Sequence, residues 1–214
     1  MYEIVFYRDK RGREPVKEFL LRLLKERQEG SRERLHKISH HLSILHLHGT
    51  RAGENYIKHL EDRIWQLRPV GDCLLFASII RGKFVLLHYF AKQNYRIPKR
   101  EIERAKVRLA DLQERIKDEP IGSSWTSFEQ EIFDESEIAE TQFRIRLILE
   151  IIETRQQLGI SQRKLEKLSG VKQSMIARVE KGSVNPSLAT VLKLLVPLGK
   201  TLQIVPLDKN KTVR

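Results

Sequence analysis

The stretch from Ile160 to Leu188, ISQRKLEKLSGVKQSMIARVEKGSVNPSL, constrains the fold more tightly than any other part of this 214-residue chain. Ser161 is a capping residue ahead of a short periodic run in which Leu165 and Leu168 are expected to face inward. Ser169-Gly170-Val171 then supplies a tight turn, and a second helix is expected from about Lys172 to Lys181, stopped by Gly182. Two short helices joined by a Gly-containing turn make a helix-turn-helix, in which the second helix is the one presented to a partner. With Ile176 and Val179 turned to the core, Lys172, Gln173, Ser174, Ala177 and Arg178 are left for outside contacts. Gln and Arg match the edges of adenine and guanine, while Gln162, Lys172 and Lys181 suit phosphates. A helical hairpin with a merely solvated polar face is the plainer alternative.

Charge points the same way. The formal net charge is +12, which suggests a polyanionic partner, nucleic acid before any other. Its distribution says more. Residues 1–120 carry 26 Lys and Arg against 17 Asp and Glu, residues 121–153 carry 2 against 8, and residues 154–214 carry 12 against 3. A chain that is basic, acidic and basic again suits a middle segment lying against a basic face, although an amphipathic helix with an acidic solvent side gives the same count. A single cysteine excludes an internal disulfide, and no apolar run approaches the roughly 20 residues that span a bilayer. The amino terminus lacks the layout of a signal peptide, so the expected location is cytoplasmic, with no membrane partner.

The amino-terminal half is expected to alternate strands and helices. Tyr2–Phe6 is β-rich, and Glu14-Pro15 opens the amphipathic stretch VKEFLLRLLKERQ. Ser31 is expected to cap a second helix through His46, followed by a loop over HGTRAGENY. Strands are expected at Ile64–Arg68, Cys73–Ile80 and Lys83–Ala91, the last two joined by Arg81-Gly82, with Pro98 starting a charged helix. Asp118–Ser124 has linker composition. Beyond it Thr126–Gln130 caps a short helix, and Asp134-Glu135-Ser136-Glu137 reads as a capping box for a long helix ending at Gly159. That helix is expected to bury Ile138, Phe143, Ile145, Leu147, Ile148, Leu149, Ile151 and Ile152, more apolar surface than a small domain of its own would cover.

Gly159-Ile160-Ser161-Gln162, Leu165, Ser169-Gly170-Val171, Ile176, Arg178, Glu180, Gly182 and Asn185-Pro186-Ser187-Leu188 resemble the lambda-repressor-like (Cro/C1, or XRE) helix-turn-helix family over roughly 145–207. The long preceding helix and the tail KTLQIVPL are similar to the HigA-type antitoxins. The other half, with His48-Gly49-Thr50, Gln66-Leu67-Arg68-Pro69, Leu86–Lys92 and Pro98–Ala105, resembles the HigB toxins of the RelE/ParE superfamily, also called phage-derived Gp49-like proteins, over nearly all of 1–117. These resemblances imply an α+β RelE-like domain, a small antiparallel sheet with helices, followed by an all-α lambda-repressor-like domain. The implied domains are a toxin domain at 1–118, a linker or chain junction at 119–126, acidic antitoxin helices at 127–153 packing on the toxin, and a DNA-binding domain at 154–208. They further imply a type II toxin–antitoxin module: a messenger-RNA endoribonuclease, generally acting on the ribosome, neutralised by an antitoxin that dimerises on its own operator, as a homodimer or a heterotetramer with the toxin. A DNA-binding regulator whose toxin-like domain is attenuated and structural is the second reading.

The chemistry expected of the first half needs no cofactor. Metal-free RNA cleavage requires a base for the ribose 2′-hydroxyl proton, cations around the pentacoordinate phosphate and a donor for the leaving oxygen. Arg68 and Lys92, at the ends of neighbouring strands, are the basic residues at positions the family uses; Arg suits the phosphate clamp, and Lys a cation or a base. His88 is a conceivable proton carrier, but alternation along FVLLHYF sets it beside Leu86 and Phe90, which favours a satisfied, half-buried imidazole. The chain departs from the family pattern at Cys73, Gln93 and Asn94, each of which replaces a cation or a hydroxyl. Cys73 as a nucleophile is weighed against a buried, inert thiol, and the second is favoured. His36 and His40 have zinc-ligand spacing without a Cys cluster or HExxH motif, so a polar, solvated or RNA-facing helix is expected and no metal. Met occurs only at 1 and 175, which leaves a true gene fusion and a concatenation of two chains as alternatives. In a fusion the linker would hold the antitoxin at millimolar effective concentration.

Overall fold

A computed structural model describes residues 1–26, 30–78, 83–92, 96–115 and 122–205, and these divide into two compact units, 1–146 and 147–214.

The first unit is built on a five-stranded mixed sheet. β1 (Glu3–Phe6), β2 (Ile57–Glu61), β3 (Ile64–Leu67), β4 (Asp72–Ser78) and β5 (Lys83–Ala91) lie in the order β1-β5-β4-β3-β2. β1 runs parallel to β5 and every other pairing is antiparallel, so the sheet is not the purely antiparallel one expected. β2 lies between the loop expected over HGTRAGENY and the strand expected at Ile64–Arg68, where no strand was expected. It pairs with β3 through a tight turn in which Asp62 adopts φ 49°, a left-handed conformation that Asp tolerates. The turn expected at Arg81-Gly82 lies outside the described residues.

Helices cover both faces of this sheet. α1 (Pro15–Lys25) and α2 (Ser31–His48) take one face, where Phe19 stacks on Tyr89 and Arg34 reaches Asp72. Gly30, left-handed at φ 93°, is the N-cap of α2, and Ser31 is its first residue. α3 (Lys99–Arg115) takes the other face and buries Ala105, Leu109 and Leu112 against Val5, Ile64, Cys73, Leu75, Val85 and Leu87.

Residues 122–146 also belong to the first unit. Ser124 bridges Val5 beside the free edge of β1, and Phe6 donates its amide to the Ser123 carbonyl at 2.9 Å. Glu14 holds this approach, accepting the Ser123 amide at 2.6 Å and its hydroxyl at 2.7 Å. Gly122 is required here, because a Cβ would run into the Phe6 carbonyl and the Glu14 carboxylate. α4 (Trp125–Ile132) is capped by Ser124, two residues earlier than the Thr126 start expected, and sends Trp125 and Phe128 onto Phe6. α5 (Glu135–Gln157) opens with the expected capping box: Glu137 donates to Asp134 Oδ1 at 2.8 Å, and Asp134 donates back to Glu137 Oε2 at 3.1 Å.

The acidic stretch meets α2 through two of its glutamates. Glu129 is buried and accepts from the Ser39 hydroxyl at 2.7 Å and the Ser43 hydroxyl at 3.3 Å, while Arg32 pairs with Glu137 at 2.6 Å. Burial raises the Glu129 pKa, and the two serine hydroxyls oppose the rise. α2 is not the solvated helix expected from its histidines. His40 and His41 are buried, His41 Nδ1 lies 2.9 Å from the Lys37 carbonyl, and His36 packs on Phe133. Burial takes the His40 pKa down to about 3, with His41 and Arg144 adding to the effect, and that of His41 to about 4.

The second unit is all helical. It takes in the end of α5, then α6 (Gln162–Ser169), α7 (Gln173–Glu180) and α8 (Leu188–Leu195), with a 3₁₀ turn at Val196–Leu198. Ser161 caps α6 and Ser187 caps α8, while Gly170 takes φ 71° to turn the chain out of α6. Two expectations fail on exposure. Leu168 is 52% exposed because Leu165 alone fills the inward face of so short a helix, and Phe143 of α5 is 59% exposed. Among the described residues no helix is long and apolar enough to cross a membrane.

Candidate nucleic-acid interface

The helix-turn-helix presents its polar side chains from a buried ion pair outward. Ile176 and Val179 of α7 are buried, as expected, and next to them on the helix is Glu180, 1% exposed. A carboxylate there needs a strong partner. Arg155 supplies it with two parallel bonds, Nε to Oε1 at 2.6 Å and Nη2 to Oε2 at 2.8 Å, and donates Nη1 to the Ile160 carbonyl at 2.9 Å. Glu180 Oε2 also accepts Gln162 Nε2 at 2.8 Å, which fixes which way the Gln162 amide points. Gln162 Oε1 must then accept, and Gln173 Nε2 donates to it at 2.7 Å. Gln173 keeps its carbonyl oxygen and one N–H, the donor and acceptor pair that adenine recognises. Lys172, Ser174, Arg178 and Lys181 are exposed around it.

Arg155 and Glu180 are the residues that sequence reasoning undervalued. The signal was present: a glutamate directly after Val179, on a face that periodicity assigns to the core, demands a buried cation.

In the first unit, two of the residues expected to cleave RNA, Cys73 and His88, lie on the α3 face of the sheet. A bulge decides which ones. Leu75 pairs with His88 and Phe76 with Leu86, so β5 carries an extra residue, Leu87, between them. The bulge puts Leu87 and His88 on one side together with Phe90, and Leu86 on the other, which corrects the alternation expected from the sequence. His88 Nε2 lies 2.7 Å from Glu101 Oε2, and Arg108 Nη1 lies 3.0 Å from Nδ1. Since Arg can only donate, Nδ1 is the acceptor and Nε2 carries the proton. Burial lowers the His88 pKa, with the Glu101 hydrogen bond opposing it, and the same bond lowers the pKa of Glu101: a neutral imidazole bound to a carboxylate. Both ring nitrogens are occupied.

Cys73 is fully buried and pairs across the ladder with Phe90. Burial pushes its pKa up to about 12, while the Gln66 amide and the charges of Lys92 and Arg68 pull the other way. Both Lys92 and Arg68 therefore act on the thiol. Their backbones are fixed by bonds outside the strands: the Arg68 amide donates to the Tyr56 carbonyl and the Lys92 amide to the Gly71 carbonyl, both at 2.9 Å. Arg68 Nη1 donates to the Glu54 carbonyl at 2.8 Å. Gln93 and Asn94 lie outside the described residues. Among the described residues no group of His, Cys, Asp and Glu is arranged to hold a metal ion.

Residues 24–110 match the family described as Phage derived protein Gp49-like, and residues 151–205 match the family described as Helix-turn-helix. A Haemophilus influenzae protein, described as an uncharacterized HTH-type transcriptional regulator, is 67% identical over 88 residues, which are 41% of this chain and 90% of that protein. A solved structure described as a toxin-antitoxin module from Streptococcus pneumoniae is 52% identical, at a TM-score of 0.36, over 41% of this chain and 97% of that one.

Proposed function

Because the chain belongs to the HTH-type transcriptional regulators, we propose that it is a toxin–antitoxin module in one chain, with a DNA-binding antitoxin half and a Gp49-like toxin half. In this reading the second unit binds the operator of its own gene, with Gln173 and Arg178 on base edges, Ser174 beside them, and Gln162, Lys172 and Lys181 on phosphates. The observation that carries it is the hydrogen-bonded line from Arg155 through Glu180 and Gln162 to Gln173, which fixes a recognition amide at the surface before DNA arrives. Preorganisation of this kind lowers the ordering cost of binding.

The first unit is read as a metal-independent messenger-RNA endoribonuclease of reduced power, working on translated transcripts in the cytoplasm. Arg68 clamps the phosphate, and Lys92 neutralises charge there or takes the 2′-hydroxyl proton. His88, held by Glu101 and Arg108, is a structural group in this scheme, and Cys73 is an inert thiol where the family pattern has an arginine. The antitoxin segment acts in cis on its own toxin half.

The test is a gel shift of the full chain on DNA from upstream of its own gene, together with expression of residues 1–118, without the antitoxin helices, in growing cells. A specific shift lost in Arg178→Ala, and growth arrest with cleaved transcripts, are the expected results. Binding unchanged in Arg178→Ala sinks the DNA half, and normal growth with folded, soluble protein sinks the toxin half. The burial of Cys73 and the occupied nitrogens of His88 favour a second reading for that last outcome: a DNA-binding regulator whose toxin-like domain is a structural element.

A further inference from the structure

We propose that Arg34 of α2 is a positioning residue of the toxin half: through Asp72 it holds the turn on which Arg68 and Lys92 stand. This rests on the toxin reading in one respect, since Arg68 and Lys92 must be the groups that meet phosphate.

Both cations lie just past the ends of their strands. β3 ends at Leu67 and β5 at Ala91, so cross-strand pairing stops one residue short of each. The turn Pro69-Val70-Gly71-Asp72 takes over from there. Arg68 leads into it, and the Lys92 amide donates to the Gly71 carbonyl at 2.9 Å. The Asp72 amide closes it on the Pro69 carbonyl at 3.1 Å, and Gly71 takes φ 84°, the left-handed third position that a turn of this type gives to glycine. These bonds shape the turn and hang Lys92 on it.

What ties the turn to the helices is the Asp72 side chain. Alternation along β4 sends Asp72 to the α1 and α2 face and Cys73 to the other, and the Asp72 carboxylate is 1% exposed. A charge buried there stays where its donors are. Arg34 supplies two parallel bonds, Nε to Oδ2 at 2.8 Å and Nη2 to Oδ1 at 2.6 Å, a fork that fixes direction as well as place. Nη2 also donates to the Tyr89 hydroxyl, which in turn donates to Oδ1 at 3.0 Å. Tyr89 is held by its stack on Phe19 of α1, and the Arg34 guanidinium lies 5.7 Å from the centre of the same ring. Two helices and β5 thus grip one carboxylate at the corner of the sheet that carries both cations. Without Arg34 that buried charge loses its counter-ion and moves toward water, and Gly71, the anchor of Lys92, moves with it. A pair that only stabilises the sheet is the plainer reading.

The test uses the full chain and needs no RNA cleavage. Inorganic phosphate is the probe, and NMR follows the signals of Arg68 and Lys92 alone, which keeps phosphate bound by the second unit out of the result. In the native chain both signals are expected to move along one saturation curve. Arg34→Ala is expected to weaken that binding about tenfold, the effect of losing one charged hydrogen bond, and Arg34→Lys, which keeps the charge and one bond, to weaken it less. Adding Asp72→Asn to Arg34→Ala should cost nothing more, because both changes cut the same link. Cys73, the chain's one cysteine, follows Asp72 and is buried, so its labelling by a maleimide reports whether the turn has loosened, and Trp fluorescence in urea checks that each variant is folded. Native-like phosphate binding in folded Arg34→Ala overturns the inference, and a more reactive thiol would then make Arg34 a structural residue alone. A further loss on adding Asp72→Asn overturns it too, since the two residues would be acting separately. If Arg34→Ala does not fold, Arg34→Lys carries the same comparison. Arg68 and Lys92 signals that ignore phosphate in the native chain would instead bring down the toxin reading of the site, and this inference with it.

Discussion

The two candidate sites of this chain are built on opposite principles. In the second unit every polar group leading to the surface is tied to the one behind it: Arg155 to Glu180, Glu180 to Gln162, Gln162 to Gln173. In the first unit Arg68 and Lys92 flank the buried thiol of Cys73, held there by strand register, and the nearby imidazole is bonded away from them. A fully satisfied polar chain fixes direction as well as position. Register fixes position alone, and the chemistry then depends on which side chains occupy the places. The two therefore differ in what they fix in advance: the wired site sets the direction of its outermost amide, and the register-built one sets only where its two cations stand.

Cutting the wire at its root gives the largest expected effect. Glu180→Ala leaves Arg155 buried without its counter-charge, a change that costs about 3–5 kcal/mol. The second unit contains no Trp, Tyr or Phe, so the two units are separately visible. Urea unfolding followed by helical circular dichroism is expected to shift in this variant while Trp fluorescence, which reports Trp65 and Trp125 of the first unit, stays unchanged. Equal shifts in both signals would mean that Glu180 is not local to the second unit. For the register-built site, Arg68→Ala is expected to slow cleavage of a translated transcript by residues 1–118, freed of the antitoxin helices, about 10²–10³-fold, the usual cost of one preorganised charge contact. Arg68→Lys should recover part of it. Native-like rates in Arg68→Ala would remove Arg68 from the chemistry.

Acidification separates the units by another route. Burial holds the pKa values of His40 and His41 at about 3 and 4, against an ordinary value of 6.5. Above pH 6.5 both imidazoles are neutral folded or unfolded, and stability is at its full value. As pH falls below that, the unfolded chain takes up protons that the folded one refuses. The unfolding free energy of the first unit drops by about 1.4 kcal/mol per pH unit for each imidazole, until the folded pKa is reached. His36, lowered by burial, acts in the same sense. Glu129, raised by burial, acts in the opposite sense, so the slope is best read in Glu129→Gln. Trp fluorescence titrated with urea from pH 7 to pH 4 should show it, with His40→Leu removing one imidazole's share. A flat profile would mean the two rings are solvated.

What could be read in advance was local. The capping box at Asp134 and Glu137, the caps at Ser161 and Ser187 and the turn at Gly170 each involve residues within one turn of each other, and sequence spacing carries that information. The failures came from distance. His40 and His41 look like a wet face of α2 until distant residues arrive beside them, Arg144 of α5 next to His40 and Tyr56 against His41. His88 was assigned to the side of Leu86 because alternation assumes a regular ladder, and one bulged residue, Leu87, inverts the assignment for everything beyond it. β2 was hidden by the polar sequence IKHLE, which alternates weakly at a sheet edge. Glu180 was legible in principle, since a glutamate directly after the core-facing Val179 calls for a buried cation, but its partner Arg155 lies 25 residues away.

The finest distinction the comparison allows is between a residue that reads a base edge and one that lies on phosphate and aims its neighbour. Gln162 spends its carbonyl on Gln173 and one N–H on Glu180, so its removal leaves the ion pair intact and frees the Gln173 amide to rotate. A neutral hydrogen bond of this kind contributes about 0.5–1.5 kcal/mol, which predicts a loss of roughly 2–10-fold in affinity for promoter DNA in Gln162→Ala, less than in Arg178→Ala. Salt dependence separates the roles further. Gln162 carries no charge and releases no counterion, so the slope of affinity against salt should stay as in the native chain, whereas Lys172→Ala should flatten it by about one unit. If Gln162→Ala binds like the native protein while Gln173→Ala does not, the recognition amide is held by DNA alone, and the preorganised line ends at Glu180.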